Sequence, residues 1–292
     1  MELSRADGRS QNQLRPLACS YSVLHRAHGS ARWSQGDTIV LAAVYGPKAG
    51  TKKNENPERA SIEVIWKPMF GPIGKAEKEC EMILMRTLRS ICLLNVHPNT
   101  TTSVIIQTYG KVACSLHPFT SSWDRMDQPL VSPHVVNDDG AVSFTKLLTC
   151  AINAACAALV DASIPLKYLS VAVCCGVTDK GLVMFDPTKI EEEELQATVC
   201  LVFPSSSKLV SPSGHLVENE LKDNGIITSV THGQVSVQIP IAHFLIWLYF
   251  DAIVDNYFNC LQKGQAASSK ISEFLRKSLD QLQIPSNLPK ES

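Results

Sequence analysis

Between Leu147 and Ala162 the chain sets Ala151, Ala154, Ala155, Ala157 and Ala158 among other apolar residues, with no Gly or Pro. Such a run reads as a helix, because alanine is the best helix former and nothing here breaks one. Side chains this small let a helix axis come close against a sheet, and that close approach is the main constraint on the fold.

The flanking sequence supplies the sheets. Upstream, strand-like runs cover roughly Leu17–Leu24, Gly29–Ser34 and Thr38–Tyr45, with turn residues at His28-Gly29 and Gly36-Asp37. Ser61–Lys67 alternates Ile62, Val64 and Trp66 with Glu63 and Lys67, a half-buried strand pattern. Lys75 to Asn95 has helical periodicity, with Met82, Met85, Leu88 and Cys92 recurring at helical spacing. Thr101–Thr108 is a β-branched run suited to a buried strand.

Downstream, Ser170–Val177 and Leu182–Phe185 read as a hairpin about Asp179-Lys180-Gly181, and Leu195–Phe203 and Gly225–Thr231 as further strands. Residues 255–282 close the pattern as an amphipathic helix through Tyr257, Phe258, Leu261, Ala267, Ile271, Phe274, Leu275 and Leu279. The order of elements predicts an α+β domain with α/β-type β-α repeats, its mixed sheets packed with helices. At 292 residues the chain is long enough to bury a sizeable core.

Residues 1–15 are a polar N-terminal segment with a turn at Asp7-Gly8, and residues 283–292 are a tail. The domain itself spans 16–237 and 255–282, and two stretches interrupt it. Residues 111–137 carry Pro118, Pro129 and Pro133 without periodicity, a long loop of a kind uncommon inside a compact domain. Residues 238–254 are strongly apolar but contain His243 and Asp251. They fall short of the roughly 20 apolar residues that a membrane span needs. They read as a buried or interface helix, and no membrane partner is expected.

Composition excludes several classes. A net charge of −1 argues against a protein that coats DNA non-specifically, so any RNA contact must come from local patches. The ten cysteines form no Cys-x-x-Cys pair, and most lie in apolar runs, as reduced thiols used as small core hydrophobes do. The eight histidines show no zinc-ligand spacing. There is no Walker loop and no Gly-x-Ser-x-Gly elbow. The first residues carry no apolar stretch, so a secretory signal is not expected.

Four segments, taken in order, carry a resemblance. They are Asn12-Gln13-Leu14-Arg15-Pro16 with Gly29-Ser30-Ala31 and Gly36-Asp37-Thr38; Arg86-Thr87-Leu88-Arg89; the string Cys150 to Ala162; and Gly176-Val177 followed by Phe185-Asp186-Pro187-Thr188. Together they resemble the RNase PH family, and within it the subunits of the exosome ring. The resemblance implies an RNase PH-like fold and a hexameric ring with other RNase PH-like exosome subunits. It implies S1/KH cap subunits and RNA as further partners, with a homodimer as the alternative assembly. It also implies 3′-to-5′ RNA processing and degradation, including rRNA maturation and mRNA decay, in the nucleus, nucleolus and cytoplasm. The stretches 111–137 and 238–254 depart from the family pattern, as the product of atypical splicing would. A chain whose extra segments blocked assembly would expose Phe244, Leu245, Trp247 and Tyr249 and aggregate.

Enzymes of this family attack the last phosphodiester with inorganic phosphate, which requires an anion cradle, cations along the RNA backbone and acidic groups. The family's cradle loop falls on Thr145, Lys146, Leu147, Leu148 and Thr149, so the position of its arginine is Leu148. Thr145, Lys146 and Thr149, with Lys75, are the remaining phosphate-binding candidates, although an ordinary solvated helix start is the favoured reading of the three. Met82 takes the place of another family arginine, while Arg86 and Arg89 remain as RNA-binding candidates with Lys52, Lys53 and Lys78. Asp186 and Glu192 match the family's acidic pair as catalytic and Mg2+-binding candidates. Glu191, Glu193 and Glu194 crowd the same region, and a like-charge cluster is costly unless a cation sits in it. The lost arginines favour an RNA-guiding ring subunit that needs no cofactor, weak or inactive alone. The alternative is an active 3′-to-5′ phosphorolytic exoribonuclease or a metal-dependent nuclease, as a homodimer, with Mg2+ and inorganic phosphate as its cofactors.

Overall fold

The computed structural model describes residues 5, 7–49, 57–68, 71–109, 111–113, 141–179, 181–205, 225–233 and 243–283, with side chains omitted at 111–113, 141–143, 243–256 and 281–283. Among the described residues, two larger sheets, a two-stranded ladder and four helices carry the fold. The first sheet has the order β1-β2-β3-β5-β4, built from β1 (Leu17–Tyr21), β2 (Gly29–Gln35), β3 (Thr38–Ala49), β4 (Ser61–Lys67) and β5 (Thr100–Thr108). Its strands pair antiparallel except β4 and β5, which run parallel. A parallel pair needs a crossover, and α1 (Lys75–Ile91) supplies it.

The short strands β6 (Lys111–Ala113) and β7 (Ala141–Ser143) pair parallel to each other. Helix α2 (Phe144–Asp161) follows directly. The second sheet has the order β11-β10-β8-β9, from β8 (Ser170–Thr178), β9 (Val183–Phe185), β10 (Leu195–Pro204) and β11 (Thr228–Gly233), all antiparallel. Helix α3 (Lys189–Glu193) lies between β9 and β10, and α4 (His243–Gln283) closes the chain.

The alanine-rich helix α2 lies between the sheets, packed against β2 and β3 on one side and β8 and β10 on the other. It is buried continuously from Phe144 to Leu159, as a helix apolar on all sides should be. It has the length and apolarity of a membrane span but is enclosed by its own fold. The expected contact with one sheet thus becomes a contact with two, and the helix begins at Phe144 rather than Leu147. Small residues make the fit at its far end. A Cβ on Gly29 would lie 2.2 Å from the backbone nitrogen of Ala162, so only glycine lets β2 meet this helix end. Beside that contact, Asp161 accepts from the backbone nitrogen of Ser30 at 2.8 Å and from the Ser22 hydroxyl at 2.8 Å.

Asn153 satisfies the sheet rather than breaking the helix. Its amide donates to Ala172 O at 3.0 Å and accepts from Ala172 N at 2.8 Å. It serves as a strand surrogate on the edge of β8 beyond the reach of β9, whose pairing ends at Cys175. Helix α4 covers the other face of this sheet, and its Phe274 meets Trp33 edge-on with centroids 5.7 Å apart.

In α1 the buried stripe is Ala76, Cys80, Leu84, Thr87, Leu88 and Ile91. Met82, expected on the apolar face, is 43% exposed, because the stripe centred on Leu84 and Leu88 turns it outward. Of the two interruptions, residues 114–137 and 238–242 lie outside the described residues, while 243–254 run without a break into α4. The described cysteines are free thiols, all buried except the half-buried Cys19.

Candidate functional site

Three sequence motifs far apart in the chain meet at the end of β9. Phe185 closes that strand, and Asp186 follows with φ +47°, a left-handed conformation that aspartate tolerates better than bulkier residues. Its backbone nitrogen donates to Cys174 O at 2.9 Å, extending the edge of β8. Thr188 then starts α3 with a capping box: its hydroxyl accepts from Glu191 N, and Glu191 Oε2 accepts from Thr188 N at 2.6 Å. The Asp-Pro-Thr motif is therefore first a device for leaving a strand and entering a helix.

The Asp186 carboxylate is 1% exposed and fully engaged by Arg15. Arg15 Nη2 donates to Oδ1 at 2.7 Å, and Arg15 Nε and the Arg15 backbone nitrogen donate to Oδ2 at 2.8 and 3.1 Å. The guanidinium passes over Gly36, where a Cβ would lie 2.7 Å from Arg15 Cδ. Gly36 also needs its φ of +56° to turn β2 into β3. Burial opposes the charge on Arg15, but the hydrogen bonds and charge of Asp186 outweigh it and raise the Arg15 pKa.

The polar N-terminal segment docks on the same turn. Arg5 donates to both carboxylate oxygens of Glu191 at 2.7 Å, to Phe185 O at 2.9 Å and to Asp186 O at 3.1 Å. Arg9 reaches Asp186 O at 3.2 Å, and Gln11 O accepts from Phe185 N at 2.9 Å. Burial raises the Glu191 pKa, but the bonds from Arg5 and the backbone of Thr188, with the Arg5 charge, bring it below its ordinary value. The expected turn at Asp7-Gly8 is present, with Gly8 at φ +72°.

Glu192 has its own cation. Lys146 Nζ lies 3.1 Å from Glu192 Oε2, with the Lys146 side chain 4% exposed. Lys146 is not part of a solvated helix start, because the whole first turn of α2 is buried. Its neighbours Thr145 and Thr149 point into the second sheet. Thr145 donates to Thr198 Oγ1 at 3.0 Å, and Thr149 donates to Thr145 O at 2.7 Å, with its hydroxyl oxygen 3.1 Å from Cys200 Sγ. Leu148 is fully buried in the hydrophobic core. Glu192, Asp186 and Lys146 all act on the Cys174 thiol, whose pKa is raised first by burial and then by the two carboxylates. The structure thus gathers Asp186, Glu192, Thr145 and Lys146 around one strand.

The remaining candidates stand elsewhere. Lys75 and Lys78 are exposed in the first turn of α1, and Arg86 and Arg89 are exposed further along it. Arg86 leans on Met82 Sδ at 3.7 Å, and Arg89 donates to Ile62 O at 3.3 Å. Lys52 and Lys53 lie outside the described residues. Arg5, Arg9 and Arg15 were not among the sequence candidates, although Arg15 stands inside a quoted motif. His232, which stacks on Phe144 with ring centroids 5.6 Å apart, was not singled out either.

Comparison with known proteins places this geometry among relatives. The model of the 3′ exoribonuclease family, domain 1, matches residues 13–116. The exosome complex exonuclease RRP46 homolog of Arabidopsis thaliana is 52% identical over 282 residues, covering 96% of this chain and 98% of its own length. The homolog of the same name from Oryza sativa subsp. japonica is 51% identical, covering 99% of this chain and 100% of its own. The crystal structure of rice Rrp46 superposes with a TM-score of 0.69 at 49% identity, covering 94% of this chain and 100% of that one. An archaeal exosome core superposes with a TM-score of 0.59 at 17% identity, covering 94% of this chain and 91% of that one, a likeness of fold.

Proposed function

As this chain belongs to the RNase PH family of 3′ exoribonucleases, we propose that it is a core ring subunit of an RNA exosome that binds and guides RNA for 3′-to-5′ processing and degradation. The observation that carries this reading is the near-complete alignment, at about half identity, with plant proteins named as exosome RRP46 homologs. The site agrees with a guiding role. Its two acidic candidates are tied to Arg15 and Lys146, and hydrocarbon fills the cradle position at Leu148.

In this role the neighbours are other RNase PH-like subunits in a six-membered ring, with S1/KH cap subunits above it and RNA passing along it. The exposed cations Lys75, Lys78, Arg86 and Arg89 on α1 are the described groups suited to the RNA backbone. Work in rRNA maturation and mRNA decay would place the protein in the nucleus, nucleolus and cytoplasm. The test is co-expression with RNase PH-like partners followed by size-exclusion chromatography. A stoichiometric ring that retains RNA is expected; a chain that never co-elutes with them would refute the assignment.

The plant relatives' name, exonuclease, favours a second reading: a phosphorolytic enzyme acting alone or as a homodimer. Purified chain incubated with RNA and inorganic phosphate separates the two readings. Release of nucleoside diphosphates that is lost in Glu192→Gln would establish the enzyme.

A further inference from the structure

A divalent cation is the family's expected companion for an acidic pair, but the residues here do not fit one. Both oxygens of Asp186 are engaged by Arg15, in a carboxylate 1% exposed. Glu192 Oε2 is held by Lys146 at 3.1 Å, and the adjacent Glu191 by Arg5 at 2.7 Å. Among the described residues, no group of three or more His, Cys, Asp and Glu side chains is placed to hold a metal ion.

Magnesium requires near-octahedral oxygen ligands at about 2.0–2.1 Å and keeps several waters. Here each carboxylate would first have to release the cation that it now holds in a largely buried pair. An ion entering with Lys146 still in place would meet like charge at close range. The like-charge cost of the 191–194 run is therefore relieved from within the chain.

We infer that the Asp186 and Glu192 pair holds cations of the protein itself in place of a divalent metal, with Lys146 as the resident counter-ion of Glu192. Lys146 is a positioning residue: it ties the start of α2 to α3, as Arg15 ties the start of β1 to the end of β9. The inference stands whether or not the chain enters a ring.

Manganese serves as the probe, counted by the spectroscopic signal of the free ion against the full-length chain. Exposed Glu193 and Glu194 give the same background in every variant. Wild type and Glu192→Gln are expected to bind equal amounts, and Lys146→Arg to match them. Lys146→Met leaves the Glu192 carboxylate without its cation and is expected to lower the melting temperature, and Lys146→Met with Glu192→Gln to recover much of that loss, with no added Mn2+ in either. If wild type binds one Mn2+ more than Glu192→Gln, the inference is overturned, and that comparison does not depend on Lys146→Met folding. A Lys146→Met chain that melts with wild type would equally remove Lys146 from the role.

Discussion

At the scale of single residues, the Arg15–Asp186 pair sets the character of the site. Two charges this deeply buried are stable only together. Arg15→Met is expected to cost about 3–5 kcal/mol, because it strands a buried carboxylate. The double change Arg15→Met with Asp186→Asn should cost clearly less than the sum of the single changes. Denaturant midpoints of the four proteins measure this, and strictly additive losses would mean that the two groups do not act as a pair. Sequence named Asp186 by its place in a motif, and placed Arg15 in another, without joining them. Nothing local reports a contact between groups 171 residues apart. The need for a cation near the acidic run was legible from charge alone; that the chain supplies it through Lys146 and Arg5 was not.

At the scale of elements, the N-terminal segment behaves as a strap with a pH-sensitive buckle. The folded pKa of Glu191 lies below the ordinary 4.5, so its stabilisation is complete above that value and fades as pH falls through the folded pKa. Proteolysis or hydrogen exchange should find residues 7–15 released as pH falls through that lowered pKa while the sheets persist. Glu191→Gln should show the same release at neutral pH, and unchanged protection there would refute the buckle. The close seat of α2 gives a second expectation. Gly29→Ala forces a methyl onto the backbone at Ala162 and should cost about 1–3 kcal/mol, read as a lowered melting temperature. Elements were largely legible: Ser61–Lys67 was placed with both ends right, and the other strands of the two larger sheets within a few residues, while β6, inside the expected loop, β7 and α3 were not foreseen. The outward Met82 was misplaced because several apolar residues in α1 fit a helical spacing, and only the packed core decides which stripe turns inward.

At the scale of the whole molecule, the outward cations of α1 are the lever on function. Replacing Lys75, Lys78, Arg86 and Arg89 together by glutamate should weaken RNA retention by an assembled ring and flatten its dependence on salt. Filter binding at several ionic strengths checks this, and an unchanged slope would move the RNA path to another surface. The α+β class was legible from periodicity, and the identity of the central helix from its alanines. That both sheets share this helix was not, because composition says how apolar a helix is but not how many partners it will have.

That shared helix has a consequence for how the protein is made. The first sheet ends at Thr108, yet the helix that covers it begins only at Phe144. Translation adds about 5–20 residues per second. For seconds, the nascent chain therefore holds β2 and β3 without the layer that will cover them, while α1 already lies on β4.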